Sequence, residues 1–230
     1  IIRNQVIVRA EQVSSKMNHH LLWKPVNFYI RGGDKLAIIG ANGTGKTTLI
    51  KKIIQEEEGI VISPAVKIGY FSQHLTILNE EKSILENTQL TSKQNETLIR
   101  TVLARMHLRN DDVYKKVNVL SGGEKVKVAL AKLLLSDVNM LVLDEPTNFL
   151  DIQSLEAFET LMQNYQGTVI FVTHDRMLVK KLATKILEIN NQEITIFDGT
   201  FAEYEEQQND RTINENEEEL LLIETKISDV

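Results

Sequence analysis

The chain has 230 residues, 42% hydrophobic and 25% charged, with a formal net charge of −6 and no cysteine. That length buries one large core, with room for a smaller lobe, and the missing cysteines exclude disulfides and thiolate metal sites and suit a reducing compartment. No apolar run approaches the roughly 20 residues of a membrane span, nothing at the N-terminus reads as a signal peptide, and a net negative chain does not advertise nucleic-acid binding.

In chain order, residues 6–13 and 26–30 read as an antiparallel opening pair, turned by Gly32-Gly33-Asp34. Residues 35–39 form a short apolar run suited to a buried strand, and residues 48–54 continue as a helix. Between them, Gly40-Ala41-Asn42-Gly43-Thr44-Gly45-Lys46-Thr47 fits the phosphate-loop pattern, with Thr48 beside it. The pattern has chemical reasons. Glycines let backbone N–H groups approach phosphates, Lys46 reaches the β and γ phosphates, and the Thr47 hydroxyl meets Mg2+.

Residues 84–119 are polar and helix-permissive, with Leu98, Val102, Arg105 and Met106 at helical spacing, and predict a helical lobe. Ser121-Gly122-Gly123-Glu124 then opens an apolar-periodic segment carrying Val126, Leu130, Leu133 and Leu134. Ser-x-x-Glu there is a capping box, and a capped helix start with two glycines also exposes N–H groups able to receive an anion. Whose anion, the spacing does not say. Met140-Leu141-Val142-Leu143 reads as a parallel strand buried on both faces, which delivers Asp144 and Glu145 to the ligand crevice. Downstream of a phosphate loop, Asp144 is expected to hold Mg2+ through its water shell and Glu145 to polarise an attacking water.

A strand over 168–173 delivers His174, and residues 186–189 and 194–197 read as a hairpin around Asn190-Asn191. From Asp198 onward eleven acidic residues face Arg211 and Lys226, a balance of minus nine that leaves plus three for residues 1–197. Ile213, Leu220 and Ile227, with Ile223 and Val230, follow a heptad-like spacing. They predict an amphipathic helix that either pairs with another surface or folds back, solvated, on its own domain.

Through Gly40 to Thr47, Gln73, Leu120 to Glu124, Leu141 to Glu145 and His174, all in the same order, the chain resembles the ATP-binding cassette ATPases over about residues 1–205. The resemblance implies an α/β phosphate-loop NTPase fold with a parallel-sheet core, an antiparallel β subdomain and a helical signature lobe at about 84–135. It implies ATP and Mg2+ as ligands, and a second cassette, in the same chain or as a homodimer, stacked head to tail. Ser121, Gly122 and Gly123, with Glu124, would then serve the partner's ATP. Gln73 matches the glutamine that contacts Mg2+ and the water, His174 the switch histidine at the γ-phosphate, and Asp151 the aspartate of the loop that crosses to the partner. Read alone, Gln73 is a surface polar residue and His174 an ordinary strand-end histidine. Where the family stacks adenine on an aromatic residue, the register here places Met17, with Trp23 nearby.

Glu145-Pro146-Thr147-Asn148-Phe149-Leu150-Asp151 resembles the ABC-F branch, in which the Asn148 position of transporter cassettes, generally serine, is asparagine; Phe149 stands where histidine is usual. Glu124, Thr173-His174-Asp175-Arg176 and Phe197-Asp198-Gly199-Thr200-Phe201-Ala202-Glu203-Tyr204 lean the same way. This resemblance implies a cytoplasmic ATPase that works on ribosomes, rRNA and tRNA included, without a membrane domain. It does so as a translation factor or, by the similarity of Glu219-Leu220-Leu221-Leu222-Ile223-Glu224, as an antibiotic-resistance ribosome-protection protein. The motor cassette of a membrane transporter is the alternative, and a nucleotide-stabilised binding module without turnover is a third that Glu145 argues against. With Ile1 first, one phosphate loop and one signature, the expectation is a piece of a longer protein, its second cassette because no arm interrupts residues 73–121, with the first cassette as the alternative because some members of the branch lack that arm. Residues 206–230 are expected as an acidic helical extension.

Overall fold

A computed structural model describes residues 3–228. Strands β1 (Val6–Met17) and β2 (His20–Arg31) pair antiparallel, and β4 (Ile60–Ile62) joins the free side of β1, giving the order β2-β1-β4. Both strands outrun their expected bounds, and Gly32-Gly33-Asp34 does not turn them: it leads from β2 into β3 (Lys35–Ile39). The hairpin turns at Asn18-His19, with φ of 49° and 66°. Two left-handed residues are what a two-residue loop needs to match the twist of its strands, and an Asn-His pair signals it far less plainly than Asn-Gly.

A six-stranded sheet runs β5 (Ile68–Phe71), β6 (Met140–Asp144), β7 (Thr168–Val172), β3, β8 (Lys185–Asn190), β9 (Glu193–Asp198). All neighbours are parallel except the β8–β9 hairpin, whose turn is Asn191-Gln192. Alternate side chains divide the core between the two faces of this sheet. Leu36, Ile38, Val142 and Ile170 pack with Trp23, Ile30, Leu49 and Ile53, binding the small sheet and α1 (Lys46–Ile54) to one face. Ala37, Leu141, Leu143, Val169 and Phe171 face Leu130, Phe158 and Leu178 on the other. Burial on both faces explains why these strands read as near-continuous apolar runs.

The helical lobe holds α2 (Ile84–Gln89), α3 (Glu96–Arg105), two 3₁₀ turns (Asn110–Tyr114 and Val117–Val119) and α4 (Gly122–Leu135). Helix α4 is apolar on two sides. Val126, Leu130 and Leu133 meet the sheet, while Val128, Ala131 and Leu135 meet Ile84, Ile99 and Leu103 in the lobe's own cluster. Fully buried Asn87 locks the lobe's entry loop: it donates to the carbonyls of Asn79 and Ser83, accepts from the Asn79 N–H, and its own carbonyl accepts from the buried Lys132 ammonium at 2.7 Å. Of the expected core face of α3, Met106 is buried and Val102 packs against the lobe's cluster, but Leu98 and Arg105 do not belong to it. Ile99, Leu103 and Met106 are buried, whereas Leu98 is 41% exposed and Arg105 faces solvent. Leu98 fits the same spacing as Ile99 in a short helix, so periodicity alone does not separate them.

After the sheet, α5 (Ile152–Gln163) and α6 (Arg176–Leu182) pack together, and α7 spans Phe201–Ser228. Only the base of α7 is anchored. Phe201 is buried and stacks on Tyr204, which also meets Phe197 edge-on. From Asn209 to Ser228 every residue is exposed, so the alternative in which this helix folds back on its domain does not hold. Ile213, Leu220, Ile223 and Ile227 lie 50% to 70% exposed along it, and Val230 lies outside the described residues. Among the described residues no helix is long and apolar enough to cross a membrane.

Candidate nucleotide site

The carboxyl ends of three neighbouring parallel strands converge on one cavity, where an open α/β sheet places its ligands. From β3 comes the phosphate loop. Gly45, at φ 103°, caps α1 without a side chain, and a Cβ there would stand 2.7 Å from the Trp23 ring. Gly40, at φ 152°, would put its Cβ 2.6 Å from the Ile189 carbonyl oxygen. The loop thus reaches its shape only with glycine at both places, and α1 presents its first N–H groups free of any side-chain cap. Lys46 is buried and lies back across the loop, its Nζ donating to the carbonyls of Gly40 at 2.6 Å and Ala41 at 2.9 Å. Burial pushes its pKa down while Glu145 and Asp144 pull it up.

From β6 come both carboxylates. Thr47 Oγ1 donates to Asp144 Oδ2 at 3.1 Å, so hydroxyl and carboxylate oxygens meet at one point. Burial raises the pKa of Asp144 and of Glu145 above the ordinary range, against the pull of Thr47 on the first and of His174 on the second. Glu145 stands at φ 51°, left-handed for a residue with a side chain, and its N–H donates to the Val172 carbonyl at 2.8 Å. Such a backbone costs about 1–3 kcal/mol and persists where the surroundings enforce it.

From β7 comes His174. Its Nε2 lies 3.1 Å from Glu145 Oε1, and its backbone N–H donates to Oε2 at 3.4 Å. Asp175, capping α6 through the N–H groups of Met177 and Leu178, and buried Thr173, accepting the Asp175 N–H, fix the turn that aims the ring.

The resulting cavity, about 270 Å³, is lined by Asn42, Gly43 and Gly45 to Thr48 of the phosphate loop, by Asp144, Glu145, Val172 and His174, and by Met17 and Leu22 of the first hairpin. Met17 is 54% exposed there. Trp23, the aromatic possibility for the base, is fully buried with its ring nitrogen donating to the Val13 carbonyl at 3.1 Å, and it serves as the floor under Gly45. Leu22 was not legible as a lining residue, because alternation along β2 tells facing but not which neighbour a side chain meets.

Three candidate groups lie outside the cavity wall. Gln73 is exposed in the loop after edge strand β5. Ser121 caps α4, its Oγ accepting from the Glu124 N–H at 3.2 Å and donating to Glu124 Oε1 at 3.0 Å. The cap is therefore one-armed, since Glu124 takes the hydroxyl proton instead of the Ser121 N–H that a full capping box would occupy. A Cβ on Gly122 would meet nothing within 4 Å, and one on Gly123 would approach the Phe149 carbonyl oxygen at 3.2 Å. Asp151 caps α5, accepting the Ser154 N–H at 2.8 Å, a bond that holds its pKa low.

A glycine cradle, a lysine and two strand-end acids define a phosphate-loop nucleotide-binding protein. The family model described as "ABC transporter" matches residues 23–148. The chain is 38% identical to the erythromycin resistance ATP-binding protein MsrA of Staphylococcus epidermidis, across 84% of the chain and 39% of that protein. It is 35% identical to ABC transporter F family member 5 of Arabidopsis thaliana, across 95% and 32%. It thus spans about a third of the length of the curated relatives it matches. The fold is that of a solved ATP-binding subunit of an ABC transporter, at TM-score 0.72 and 22% identity over 88% of this chain and 93% of that one. The chain belongs to the ATP-binding cassette ATPases.

Proposed function

We propose that the chain is one ATP-hydrolysing cassette, the second, of a longer cytoplasmic protein with two cassettes that acts on the ribosome. Residues 1–205 form the cassette and 206–230 an extension. The observation that carries the two-cassette reading is the open start of α4: Ser121 and Gly122 face solvent, with Gly123 half-buried beside them, outside the cavity that holds the phosphate loop. A helix start uncovered on its own chain suits the γ-phosphate of a nucleotide bound by another cassette. Asp151 belongs to the loop that would cross to it.

The phosphates lie along the N–H groups of residues 40–48 with Lys46 on the β and γ oxygens. Thr47, Asp144 and Gln73 offer hard oxygen donors that fit Mg2+, and Thr47 and Asp144 already share one point. When bound, that ion would neutralise charge developing on the phosphates. Glu145 takes the proton of the attacking water, and the burial that raises its pKa makes it a stronger base than an exposed carboxylate. His174 holds the carboxylate in place through ring and backbone. On the isolated cassette half of each composite site is missing, so it binds ATP yet turns it over slowly.

The ribosome reading is supported by Pro146-Thr147-Asn148 and by similarity to a relative named as an F family member, and the name of the erythromycin-resistance relative favours a role in antibiotic resistance over a housekeeping one. Its test uses full-length protein carrying Glu145→Gln, which ATP should hold closed. A ligand shifts an equilibrium by its preference for one state, and ATP bridging Lys46 to the other cassette's signature provides that preference. Co-sedimentation with ribosomes in ATP, and much less in ADP, is expected. Failure at every salt concentration, with recovery in a membrane fraction beside a spanning subunit, overturns it in favour of a transporter motor.

A further inference from the structure

The chain's one Asn-Gly pair, Asn42-Gly43, forms the tip of the phosphate loop. Both residues are exposed, and Gly43 stands at φ 79° with nothing within 4 Å of where a Cβ would be. The loop's own bonds pass them by. The Ala41 carbonyl accepts the Thr44 N–H at 3.3 Å, the Thr44 hydroxyl at 2.8 Å and the Lys46 ammonium at 2.9 Å, so the turn closes around the pair without engaging it. Among the described residues, neither the Asn42 carboxamide nor the Gly43 N–H has a hydrogen-bond partner in the chain. Such a pair is reactive toward itself. A glycine nitrogen, with no Cβ beside it, is unshielded and reaches the carboxamide carbon of the residue before it. The surroundings favour the step, because its tetrahedral intermediate carries an oxyanion, and the uncapped start of α1 and the Lys46 ammonium favour negative charge near this loop.

We propose that Asn42 is a deamidation site gated by nucleotide: the empty phosphate loop converts Asn42 to an aspartyl or isoaspartyl residue, and a bound triphosphate prevents it. The proposal rests on the nucleotide-site reading above. The Gly43 nitrogen forms a bond to Asn42 Cγ, the bond from Cγ to Nδ2 breaks, and the departing nitrogen takes the Gly43 proton and leaves as ammonia. Water then opens the cyclic imide at either carbonyl. One opening leaves a normal backbone with a carboxylate at position 42, and the other routes the backbone through the former side chain, one carbon longer. Both products place a new negative charge where the phosphates would lie, which repels them. Phosphates lying along the loop engage its N–H groups, so an occupied cassette has no free Gly43 nitrogen to react. The modification therefore inactivates cassettes that stay empty.

The test incubates full-length protein in mildly alkaline buffer, with and without a non-hydrolysable ATP analogue and Mg2+, the other cassette's phosphate-loop lysine being replaced by alanine so that binding reads this one. Tryptic digestion then releases residues 36–46, bounded by Lys35 and Lys46. That peptide should gain the mass of an amide-to-acid exchange in the empty protein and, with the analogue at about 100 times its Kd, should do so about a hundredfold more slowly. The incubated empty sample should split into intact and weakened binders in the proportion that the peptide shows, the weakened ones at least about tenfold poorer for the analogue. Asn42→Gln, whose longer side chain closes a larger ring more slowly, should keep its starting affinity through the same incubation. Asn42 left intact in the folded, empty protein while the urea-unfolded chain deamidates overturns the proposal. Equal modification with and without the analogue, or undiminished affinity in the modified population, does the same. Fresh protein that binds no analogue, with Lys46→Ala behaving as wild type, overturns the nucleotide-site reading instead.

Discussion

Two helix starts in this molecule carry glycines, and they are built in opposite ways. The start of α1 has no side-chain cap, is roofed by buried Lys46 and is closed in by Asp144, Glu145 and His174. The start of α4 is capped by Ser121, and its Gly122 stands in open space. An enclosed, uncapped start leaves its N–H groups for a ligand of its own chain, whereas an exposed and capped one is stable without a ligand and can wait for one brought by another surface. On the proposed function, the first start would hold the phosphates of the chain's own nucleotide and the second would meet those of another cassette's.

The largest effect that sharpens this contrast is expected at Glu145. Glu145→Gln keeps size and much of the hydrogen bonding to His174 but removes the base, and turnover by the full-length protein should fall by about 10²- to 10⁴-fold with ATP binding retained. Turnover within about threefold of wild type would sink the assignment. The pH profile carries the same signature. Burial holds the Glu145 carboxyl above its ordinary 4.5, and Asp144 is raised by the same cause, so activity should fall on the acid side above that value, in a limb that belongs to the pair. The linked stability runs the other way. The folded state holds these protons more tightly than the unfolded one, so this contribution declines as pH rises from the ordinary carboxylate value through the raised one.

Lys46→Ala should have the next largest effect, and of a different kind. It removes a charge directed at the phosphates, and hydrogen bonds to charged groups contribute about 1.5–3 kcal/mol, or roughly a ten- to hundredfold loss of ATP affinity. Equilibrium binding to the isolated cassette reads this without turnover. Because the start of α4 faces outward, Gly122→Arg in the same assay should leave the affinity unchanged, and an equal loss in both variants would erase the distinction between the two helix starts.

Much of this architecture was legible because local signals and global need agree. The phosphate loop, the doubly buried strands and the capped start of α4 each combine a spacing with a physical requirement. What escaped did so for equally physical reasons. The Asn18-His19 turn lacks glycine, and the left-handed backbone of Glu145 is imposed by its bond to Val172, a tertiary partner that no window of sequence contains. Leu98 and Ile99 are neighbours on a helix of ten residues, and only packing chooses which one is buried. The fate of Trp23 depended on the same thing, since an aromatic residue near a nucleotide reads as a base platform until its ring is found under Gly45.

The smallest effect is the most discriminating, because the molecule contains its own control for Ser121. Ser83 caps α2 in a full capping box, accepting the Glu86 N–H at 3.0 Å while its own N–H donates to Glu86 Oε1 at 3.2 Å, and it is buried within the lobe. Replacing either serine by alanine removes a cap worth about 0.5–2 kcal/mol, and a domain of this size should lose roughly 2–4 °C in melting temperature for each kcal/mol. The Ser83 variant should lose at least as much as the Ser121 variant, since Ser83 has the second arm and the lower exposure. Turnover should separate them. Ser121→Ala deletes a hydroxyl facing the other cassette's nucleotide, and one neutral hydrogen bond of about 0.5–1.5 kcal/mol corresponds to a two- to tenfold loss of hydrolysis in the full-length protein. Ser83→Ala has no such surface and should hydrolyse ATP at the wild-type rate below its melting transition. If the two variants lose turnover in proportion to their lost stability, Ser121 is a cap and nothing more.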